Sequence, residues 1–175
     1  MTSESENIKN MSISEFMTKD VKTIRENESV GQACKLMYQE NIGSIVILRG
    51  DTNTNKSETS GNTTKNVTPV GIITERDITK MVGFSAKFFA DMSVLAVMSK
   101  PLITINPATS VKDAVSLMEH KNIRRLPVVD SKGLMIGIIT AKDIFKPLMK
   151  IFKQVAKEKD LDSDGFDLLG LIGME

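Results

Sequence analysis

The sequence VGIITERDITK, residues 70–80, recurs as IGIITAKDIFK at residues 136–146. Each copy is a short apolar run that ends in a threonine, Thr74 or Thr140, and an aspartate, Asp77 or Asp143, follows three residues later. Such a run favours a buried strand, and Thr-x-x-Asp before further apolar residues is a variant of the capping box that begins a helix. The stretch therefore predicts a strand-to-helix junction that the chain contains twice.

A longer segment upstream of each junction is also repeated. FMTKDVKTIRENESVGQACKLMYQENIGSIVIL, which starts at Phe16, aligns without a gap with VMSKPLITINPATSVKDAVSLMEHKNIRRLPVV, which starts at Val97. The first copy has extra residues before its junction, in RGDTNTNKSETSGNTTKNVTP at residues 49–69. This stretch has too few large apolar side chains to order itself, so we predict a flexible insertion within a tandem repeat.

The same order of elements is predicted in both repeats. A short extended segment precedes Ser29 or Ser110, which suits a helix N-cap, and the apolar residues that follow keep helical spacing. Two short apolar strands come next, and the helix after Thr74 or Thr140 closes the repeat. The expected strands are residues 21–24, 44–48 and 70–73, then residues 102–105, 126–129 and 135–139. We therefore predict an α/β (α+β) fold of two β-α-β-β-α units that bury each other's faces.

The repeat also sets the expected domain boundaries. They are an N-terminal stub at residues 1–15, the first unit at 16–80, a linker helix at 81–96, the second unit at 97–146 and a C-terminal tail at 147–175. Apolar residues in the linker, such as Phe84 and Phe89, favour core packing or a dimer interface. The tail is predicted to begin with an amphipathic helix that is basic on one face. That basic face would either be solvated or bind a membrane surface or a partner.

The tail also carries an acidic motif. Asp160, Asp162, Asp164 and Gly165 match the first half of an EF-hand calcium loop, but Leu171 stands where a bidentate glutamate is needed. We therefore expect an acidic turn without a metal site, and the apolar residues around it could form a docking peptide.

Charge and hydropathy exclude several classes of partner. The 175 residues include 23 Lys+Arg and 22 Asp+Glu, so the net charge of +1 creates no overall field that would attract nucleic acid or an anionic membrane. No apolar run approaches the roughly 20 residues of a membrane-spanning helix. The start MTSESENIKN has no basic or hydrophobic region of a signal peptide, so we expect a cytoplasmic protein.

Cys34 and His120 are the only cysteine and the only histidine. An internal disulfide, a zinc finger and a Cys/His metal cluster are therefore excluded within one chain. Cys34 falls on the apolar side of a helical pattern, where a small buried hydrophobe is expected, and His120 stands at a predicted helix end. We accordingly expect no nucleophile with a positioned base, and no enzyme.

The Thr-x-x-Asp motif fits two uses. As a cap, the hydroxyl and the carboxylate satisfy free amides of the first helical turn. As a binding site, the same amides and the positive end of the helix dipole favour phosphate, and an ionised aspartate accepts hydrogen bonds from both hydroxyls of a ribose. Both uses can occur together.

Two tandem β-α-β-β-α copies, each ending in G-h-h-T-x-x-D-h with h apolar, resemble a pair of CBS domains that form a Bateman module. The sequence LPVVD at residues 126–130 adds to this resemblance, which covers residues 16–146. It implies two units packed about a pseudo-twofold axis, a homodimer, and two clefts for adenosine ligands such as AMP, ADP, ATP or S-adenosylmethionine. We name these clefts the Asp77 site and the Asp143 site.

The resemblance also assigns residues to each site. Asp77 and Asp143 would bind the ribose, and Thr74 and Thr140 would lie near the ribose and the phosphate. The other repeat would complete each site. For the Asp77 site it would supply Leu102 and Ile103 around the base and Arg124 and Arg125 facing the phosphates. For the Asp143 site it would supply Val21, Lys22, Gly43 and Ser44.

The pair Arg124 and Arg125 distinguishes the two sites, because Gly43 and Ser44 stand at the matching positions. A guanidinium can donate two parallel hydrogen bonds to the oxygens of one phosphate. We therefore expect the Asp77 site to prefer phosphorylated adenosines, and the Asp143 site to be weaker, empty or suited to a less anionic ligand. A solvated strand end or an ion pair with Asp130 is the alternative use of the arginines.

The first repeat also departs from the family pattern, since it reads IGSIVILRG where the second reads IRRLPVVDS. The first repeat lacks counterparts of Pro127 and Asp130. This departure weakens the expectation of a ligand at the Asp143 site more than it weakens the expected fold. The resemblance therefore implies a regulatory sensor of adenine nucleotides that acts on an unidentified protein target through a conformational or oligomeric change. An interaction scaffold with empty clefts is the alternative, and a nucleotide hydrolase assembled at a dimer interface is a further one.

Overall fold

The computed structural model describes residues 10–50, 67–84, 89–146 and 149. Residues 1–9, most of the predicted insertion and nearly all of the predicted tail lie outside the described residues. The basic helix face and the partial calcium-loop motif of the tail therefore stay sequence-based predictions.

Strands and helices follow one another in the predicted order. The first unit contains β1 (Thr23–Arg25), α1 (Val30–Glu40), β2 (Ser44–Gly50), β3 (Val67–Thr74) and α2 (Glu75–Phe84). A short 3-10 helix (Phe89–Asp91) and α3 (Val94–Val97) lead into the second unit. The second unit contains α4 (Val111–His120), β4 (Arg125–Val129), β5 (Met135–Thr140) and the helical residues 141–146, which we name α5. A further 3-10 helix (Ile13–Glu15) precedes β1.

The serines that the sequence predicts as caps do begin α1 and α4. Ser29 Oγ accepts a hydrogen bond from Gln32 N at 3.2 Å, and Gln32 Oε1 accepts one from Ser29 N at 2.7 Å. This is a complete capping box. Ser110 Oγ accepts from Asp113 N at 3.0 Å at the start of α4. Both predicted N-caps are therefore confirmed.

Each unit has its own small sheet. In the first unit β1 pairs in parallel with β2, and β2 pairs antiparallel with β3. In the second unit β4 pairs antiparallel with β5. The register places Ser44 opposite Thr74 and Arg125 opposite Thr140. The strand ends beside α2 and α5 therefore carry residues that the sequence assigns to both sites.

The expected strand at residues 102–105 is wrong in extent, because the described residues there form only a bridge between Ile105 and Val128. The matching segment of the first unit continues its ladder through Glu26, whose N–H donates to Leu48 O at 3.1 Å. Pro107 stands at the matching position of the second unit and has no N–H to donate. The ladder therefore stops at Ile105.

The strands on either side of the predicted insertion are longer than expected. Arg49 pairs with Thr68, and Gly50 pairs with Val67, so β2 and β3 extend into residues 49–69. A strand ladder is built from backbone groups and does not require apolar side chains. Arg49 also forms an ion pair with Glu26 at 2.7 Å, which ties β2 to the end of β1.

A single linker helix over residues 81–96 is also wrong. α2 ends at Phe84, and the 3-10 helix Phe89–Asp91 and α3 follow as separate elements. α3 begins as a separate helix because Ser93 caps it, with Ser93 Oγ accepting a hydrogen bond from Leu95 N at 3.3 Å.

Each hydrophobic core contains a residue of the segment that precedes the other repeat. Ile13 is fully buried in the core of the second unit, where it packs with residues such as Val111 and Leu126. Val94 is fully buried in the core of the first unit, where it packs with residues such as Val30. The segment before each repeat therefore crosses over and completes the other unit.

The crossing backbone bonds are reciprocal. Val111 N donates to Met11 O at 2.9 Å, and Val30 N donates to Met92 O at 2.8 Å. These two bonds join positions that the repeat relates to each other, as a pseudo-twofold arrangement requires. The predicted mixed α+β fold of two CBS-like units is thus confirmed. In the part of the chain that the structure describes, no helix is both long and apolar enough to cross a membrane.

Candidate functional site

Thr74 and Asp77 meet at the junction between β3 and α2. Thr74 Oγ1 donates to Asp77 Oδ2 at 2.6 Å, and Thr74 N donates to the same oxygen at 2.9 Å. In return, Thr74 Oγ1 accepts a hydrogen bond from Asp77 N at 3.3 Å. This is the capping arrangement that the Thr-x-x-Asp spacing predicts, and it occupies one oxygen of the carboxylate.

The second junction repeats this geometry. Thr140 Oγ1 and Thr140 N donate to Asp143 Oδ2 at 2.6 and 3.0 Å, and Asp143 N donates to Thr140 Oγ1 at 3.3 Å. The cap leaves the second oxygen of each aspartate outside it. Asp77 Oδ1 lies 3.5 Å from Ser99 Oγ. A carboxylate can accept through both oxygens, so capping and ligand binding are compatible at each junction.

Each motif begins with a glycine because a methionine of the opposite repeat occupies the space next to it. A Cβ on Gly71 would collide with Met98 Sδ and would lie 2.9 Å from Met98 Cγ. A Cβ on Gly137 would lie 2.7 Å from Met17 Sδ. The crossing segment that carries Met98 also brings Ser99 next to Asp77.

Arg125 is a half-buried cation that reaches from β4 of the second unit towards α2 of the first. Burial lowers the pKa of its guanidinium, and the positive charge of Arg124 lowers it further, whereas the carboxylates of Glu75 and Asp77 raise it. The group stays protonated despite these effects, since arginine is not deprotonated in proteins. None of the ion pairs among the described residues includes Arg125. Such a cation is suited to bind an anionic group that enters the site.

Gly43 lies between Arg125 and Glu75. A Cβ on Gly43 would lie 2.9 Å from Arg125 Nη2 and 2.7 Å from Glu75 Oε2. Glu75 N also donates to Gly43 O at 3.3 Å. The missing side chain at Gly43 therefore allows the Arg125 guanidinium to approach α2. These contacts place Gly43 beside Asp77-site groups, although the sequence assigns it to the Asp143 site.

The other residues that the sequence assigns to the Asp77 site differ in exposure. Leu102 and Ile103 are half-buried, and Ile103 packs against the core of the second unit. Arg124 is exposed, and its carbonyl accepts a hydrogen bond from Ala141 N at 3.0 Å. Of the two arginines, Arg125 is the half-buried one, and the Asp77 carboxylate is among the charges that act on its guanidinium.

Lys22, which the sequence assigns to the Asp143 site, is paired with carboxylates of its own repeat. Its Nζ lies 3.3 Å from Glu40 Oε2 and 3.4 Å from Asp20 Oδ2. Hydrogen bonds to Glu40 and Asp20 raise the pKa of Lys22. Val21 and Ser44 are half-buried. The ammonium of Lys22 is thus less available to a ligand than the guanidinium of Arg125.

Asp130 does not pair with the arginines in the described part of the chain. Its Oδ1 accepts hydrogen bonds from Lys132 N and Leu134 N, both at 2.9 Å, and so closes the turn between β4 and β5. Cys34 is half-buried against the first core, and burial raises the pKa of its thiol. Among the described residues, no three His, Cys, Asp or Glu side chains are grouped so that they could hold a metal ion.

Glu75 and Ser99 are the site residues that the sequence reasoning missed. Glu75 stands inside the motif, but only the three-dimensional structure shows that its carboxylate and the Arg125 guanidinium both lie beside Gly43. Ser99 follows a methionine as Thr18 does in the first repeat, so the alignment of the two repeats contained a signal for it.

Comparisons with known proteins agree with this architecture. The family model described as CBS domain matches residues 13–83 and 94–150. Protein MK0525 of Methanopyrus kandleri is 35% identical over 139 residues, which cover 79% of this chain and 63% of that protein. A homoserine O-acetyltransferase of Methanococcoides burtonii is 31% identical over 133 residues, which cover 76% of this chain but only 23% of that enzyme. The chain thus spans less than two thirds of the length of both relatives.

A solved structure has the same fold. The CBS domain pair of protein MJ0100, crystallised in complex with 5'-methylthioadenosine and S-adenosyl-L-methionine, superposes with a TM-score of 0.64 at 25% sequence identity. The alignment covers 81% of this chain and 98% of that one. The two family matches, the reciprocal crossing of the two repeats and this structural likeness lead to one conclusion. The chain belongs to the CBS domain family and contains a tandem pair of CBS domains.

Proposed function

We propose that this chain is a regulatory module that binds an adenosine-containing ligand, AMP, ADP, ATP or S-adenosylmethionine, at the Asp77 site. The observation that carries the proposal is the Arg125 guanidinium, which is half-buried beside Asp77 and Glu75 and has no direct ion pair among the described residues. A cation removed from water is costly unless an anion compensates it. An anionic ligand group would supply that compensation.

Each residue of the Asp77 site has a proposed role. Asp77 accepts hydrogen bonds from the ribose hydroxyls through Oδ1, because Oδ2 is occupied by the cap. Arg125 binds the phosphate with its fork of donors, and the exposed Arg124 adds positive charge at the rim. Thr74 holds Asp77 in position. Leu102 and Ile103 supply apolar surface for the base.

The Asp143 site is proposed to be the weaker one. Lys22 is already paired with Asp20 and Glu40, and Gly43 contacts Arg125 and Glu75. Ser44 carries no charge. A ligand with a strongly anionic group would therefore find little compensation at this site, so a less anionic adenosine derivative or no ligand is expected.

The complex of protein MJ0100 with 5'-methylthioadenosine and S-adenosyl-L-methionine supports a ligand of the adenosine class. The partial match to the acetyltransferase also supports a regulatory role, since the CBS pair of this chain corresponds to only 23% of that enzyme. We therefore propose that the chain is not catalytic. It would act in the cytoplasm as a homodimer, on a protein target that senses a change in its conformation or association, provided that the ligand prefers one state over another.

Thermal unfolding with matched variants tests this proposal. A ligand at about 100 times its dissociation constant adds about 2.7 kcal/mol of stability, which raises Tm by several degrees in a chain of this size. Asp77→Ala and Asp143→Ala each remove an equivalent cap, so both should lower Tm without ligand. With AMP, the wild type and Asp143→Ala should gain stability and Asp77→Ala should not. An equal gain in all three proteins would contradict the assignment.

An interaction scaffold is the second candidate, and the completeness of both caps favours it. Each aspartate is fully explained by the stability of its helix if the sites stay empty. In that case AMP, ADP, ATP and S-adenosylmethionine should leave Tm unchanged in the wild type. Both alanine variants would then differ from the wild type only in their stability without ligand.

A further inference from the structure

The two sites differ by a pair of charges that face each other across a glycine. At the Asp77 site, Glu75 Oε2 and Arg125 Nη2 both lie against Gly43. The repeat places Ala141 at the position of Glu75 and Ser44 at the position of Arg125. One site therefore has a carboxylate together with a guanidinium, and the other site has neither.

The carboxylate limits how much negative charge the guanidinium can accept. A phosphate monoester carries a charge of about −1.5 to −2 at pH 7. If Arg125 binds such a group, the group lies near two carboxylates, Glu75 and Asp77, whose charges act on the same guanidinium. One phosphate can be directed at Arg125. Each further phosphate adds negative charge close to Glu75, and Arg124, the other cation assigned to this site, is exposed, so that solvent and salt screen its charge.

Resting on the function proposed above, we propose that Glu75 sets the charge specificity of the Asp77 site. The site accepts an adenosine whose tail carries a single phosphate, and Glu75 disfavours the di- and triphosphates. Glu75 is suited to this role because its side chain is exposed and its backbone N–H, which bonds to Gly43 O, is independent of the carboxylate. Its carboxylate can thus be neutralised without loss of that bond.

Calorimetric titration with AMP and with ATP, each with and without magnesium, tests the inference. The titrations use the Asp143→Ala background, so that the Asp77 site alone is measured. The variants are Glu75→Gln and, as a matched control, Glu119→Gln, which removes the same charge from an exposed position near the end of α4. The background protein should bind AMP about tenfold more tightly than ATP, and Glu75→Gln should reduce this preference severalfold by tightening ATP. Glu119→Gln should leave the preference unchanged.

Several outcomes would overturn the inference. If the ratio of the dissociation constants for ATP and AMP is the same in Glu75→Gln and in the background protein, Glu75 does not determine the charge specificity of the site. Weaker binding of magnesium-ATP in Glu75→Gln would show that the carboxylate holds the metal and favours the triphosphate. If AMP binds in either case, the proposed function stands without Glu75 as its selector. If neither AMP, ATP nor S-adenosylmethionine binds, the proposed function fails as well.

Discussion

At the scale of single residues, Met98 and Met17 determine which side chain the first position of each motif can carry. Met98 packs directly against the Cα of Gly71, and Met17 does the same at Gly137. Both methionines come from the opposite repeat, so the glycines are needed for the crossing of the two units. A close approach of this kind tolerates an added methyl group poorly, because the core around it is already packed.

Gly71→Ala should therefore lower the free energy of unfolding by about 1–3 kcal/mol, the usual cost of overpacking. Urea denaturation measures the change. Gly83→Ala is the matched control, because no described residue lies within 4 Å of a Cβ at Gly83 and the residue is part of α2. That control should stabilise the protein by about 0.5–1 kcal/mol through helix propensity. A neutral Gly71→Ala would mean that Met98 moves aside without cost.

The parts of the site that the sequence predicted are those in which the interacting residues are close together in the chain. Thr74 and Asp77 could be read from sequence, because a cap joins residues three positions apart and its chemistry depends on few other groups. Glu75 could not, since its proposed role depends on Arg125, which is 50 positions away and whose guanidinium approaches α2 beside Gly43, where there is no side chain. Such proximities depend on how the two units pack against each other, and the spacing of residues along the sequence does not reveal that packing.

At the scale of elements, an asparagine with positive φ follows α1 directly and follows α4 after one further residue. Asn41 and Asn122 each have φ of 51°, and the repeat relates the two positions. The left-handed conformation costs ordinary L-residues roughly 1–2 kcal/mol, whereas asparagine and glycine adopt it more readily. The turn after α1 and the turn after α4 therefore depend on this residue type.

Asn41→Ala and Asn122→Ala should each lower the free energy of unfolding by about 1 kcal/mol, because alanine pays the cost of the left-handed conformation. Asn41→Gly and Asn122→Gly should leave it unchanged or slightly higher. Urea denaturation of the four variants separates the two cases. Equal stabilities of the alanine and glycine variants would show that the asparagine conformation is not what stabilises these turns.

The extent of the elements was harder to predict than their order. Caps and apolar periodicity predicted every helix and strand of the first unit, because those signals are local. The ladder at Ile105 ends early because Pro107 lacks the N–H that Glu26 donates in the first unit. The new helix at Val94 begins because Ser93 caps it. Pro107 departs from the repeat, whereas Ser93 follows it, because Ser12 caps the 3-10 helix Ile13–Glu15 at the matching position.

At the scale of the whole molecule, neither CBS unit is complete without the segment that precedes the other repeat. Ile13 belongs to the stub that the sequence places outside both units, yet it is fully buried in the second core. Val94 has the equivalent position in the first core. Because each core depends on both repeats, the two units should unfold together, and a change in the arrangement of one unit can be transmitted to the other.

Ile13→Ala should cost about 2–5 kcal/mol, the usual penalty for a large-to-small substitution in a core, although the residue precedes both repeats. Chemical denaturation should still give a single transition, with a lower midpoint for the entire chain. Tyr38→Ala is the control, since Tyr38 is 87% exposed and its loss should change stability by about 0.5 kcal/mol or less. Two separate transitions in the Ile13 variant would show that the units fold independently.

The most direct test of the account is a crystal structure of the protein with AMP. The account predicts AMP at the Asp77 site, with its phosphate within hydrogen-bonding distance of the Arg125 guanidinium and its ribose hydroxyls on Asp77 Oδ1. An AMP molecule found only at the Asp143 site, with its ribose hydroxyls on Asp143 and its phosphate away from Arg125, would contradict this assignment. Empty sites at AMP concentrations far above those in a cell would contradict the function itself and favour an interaction scaffold.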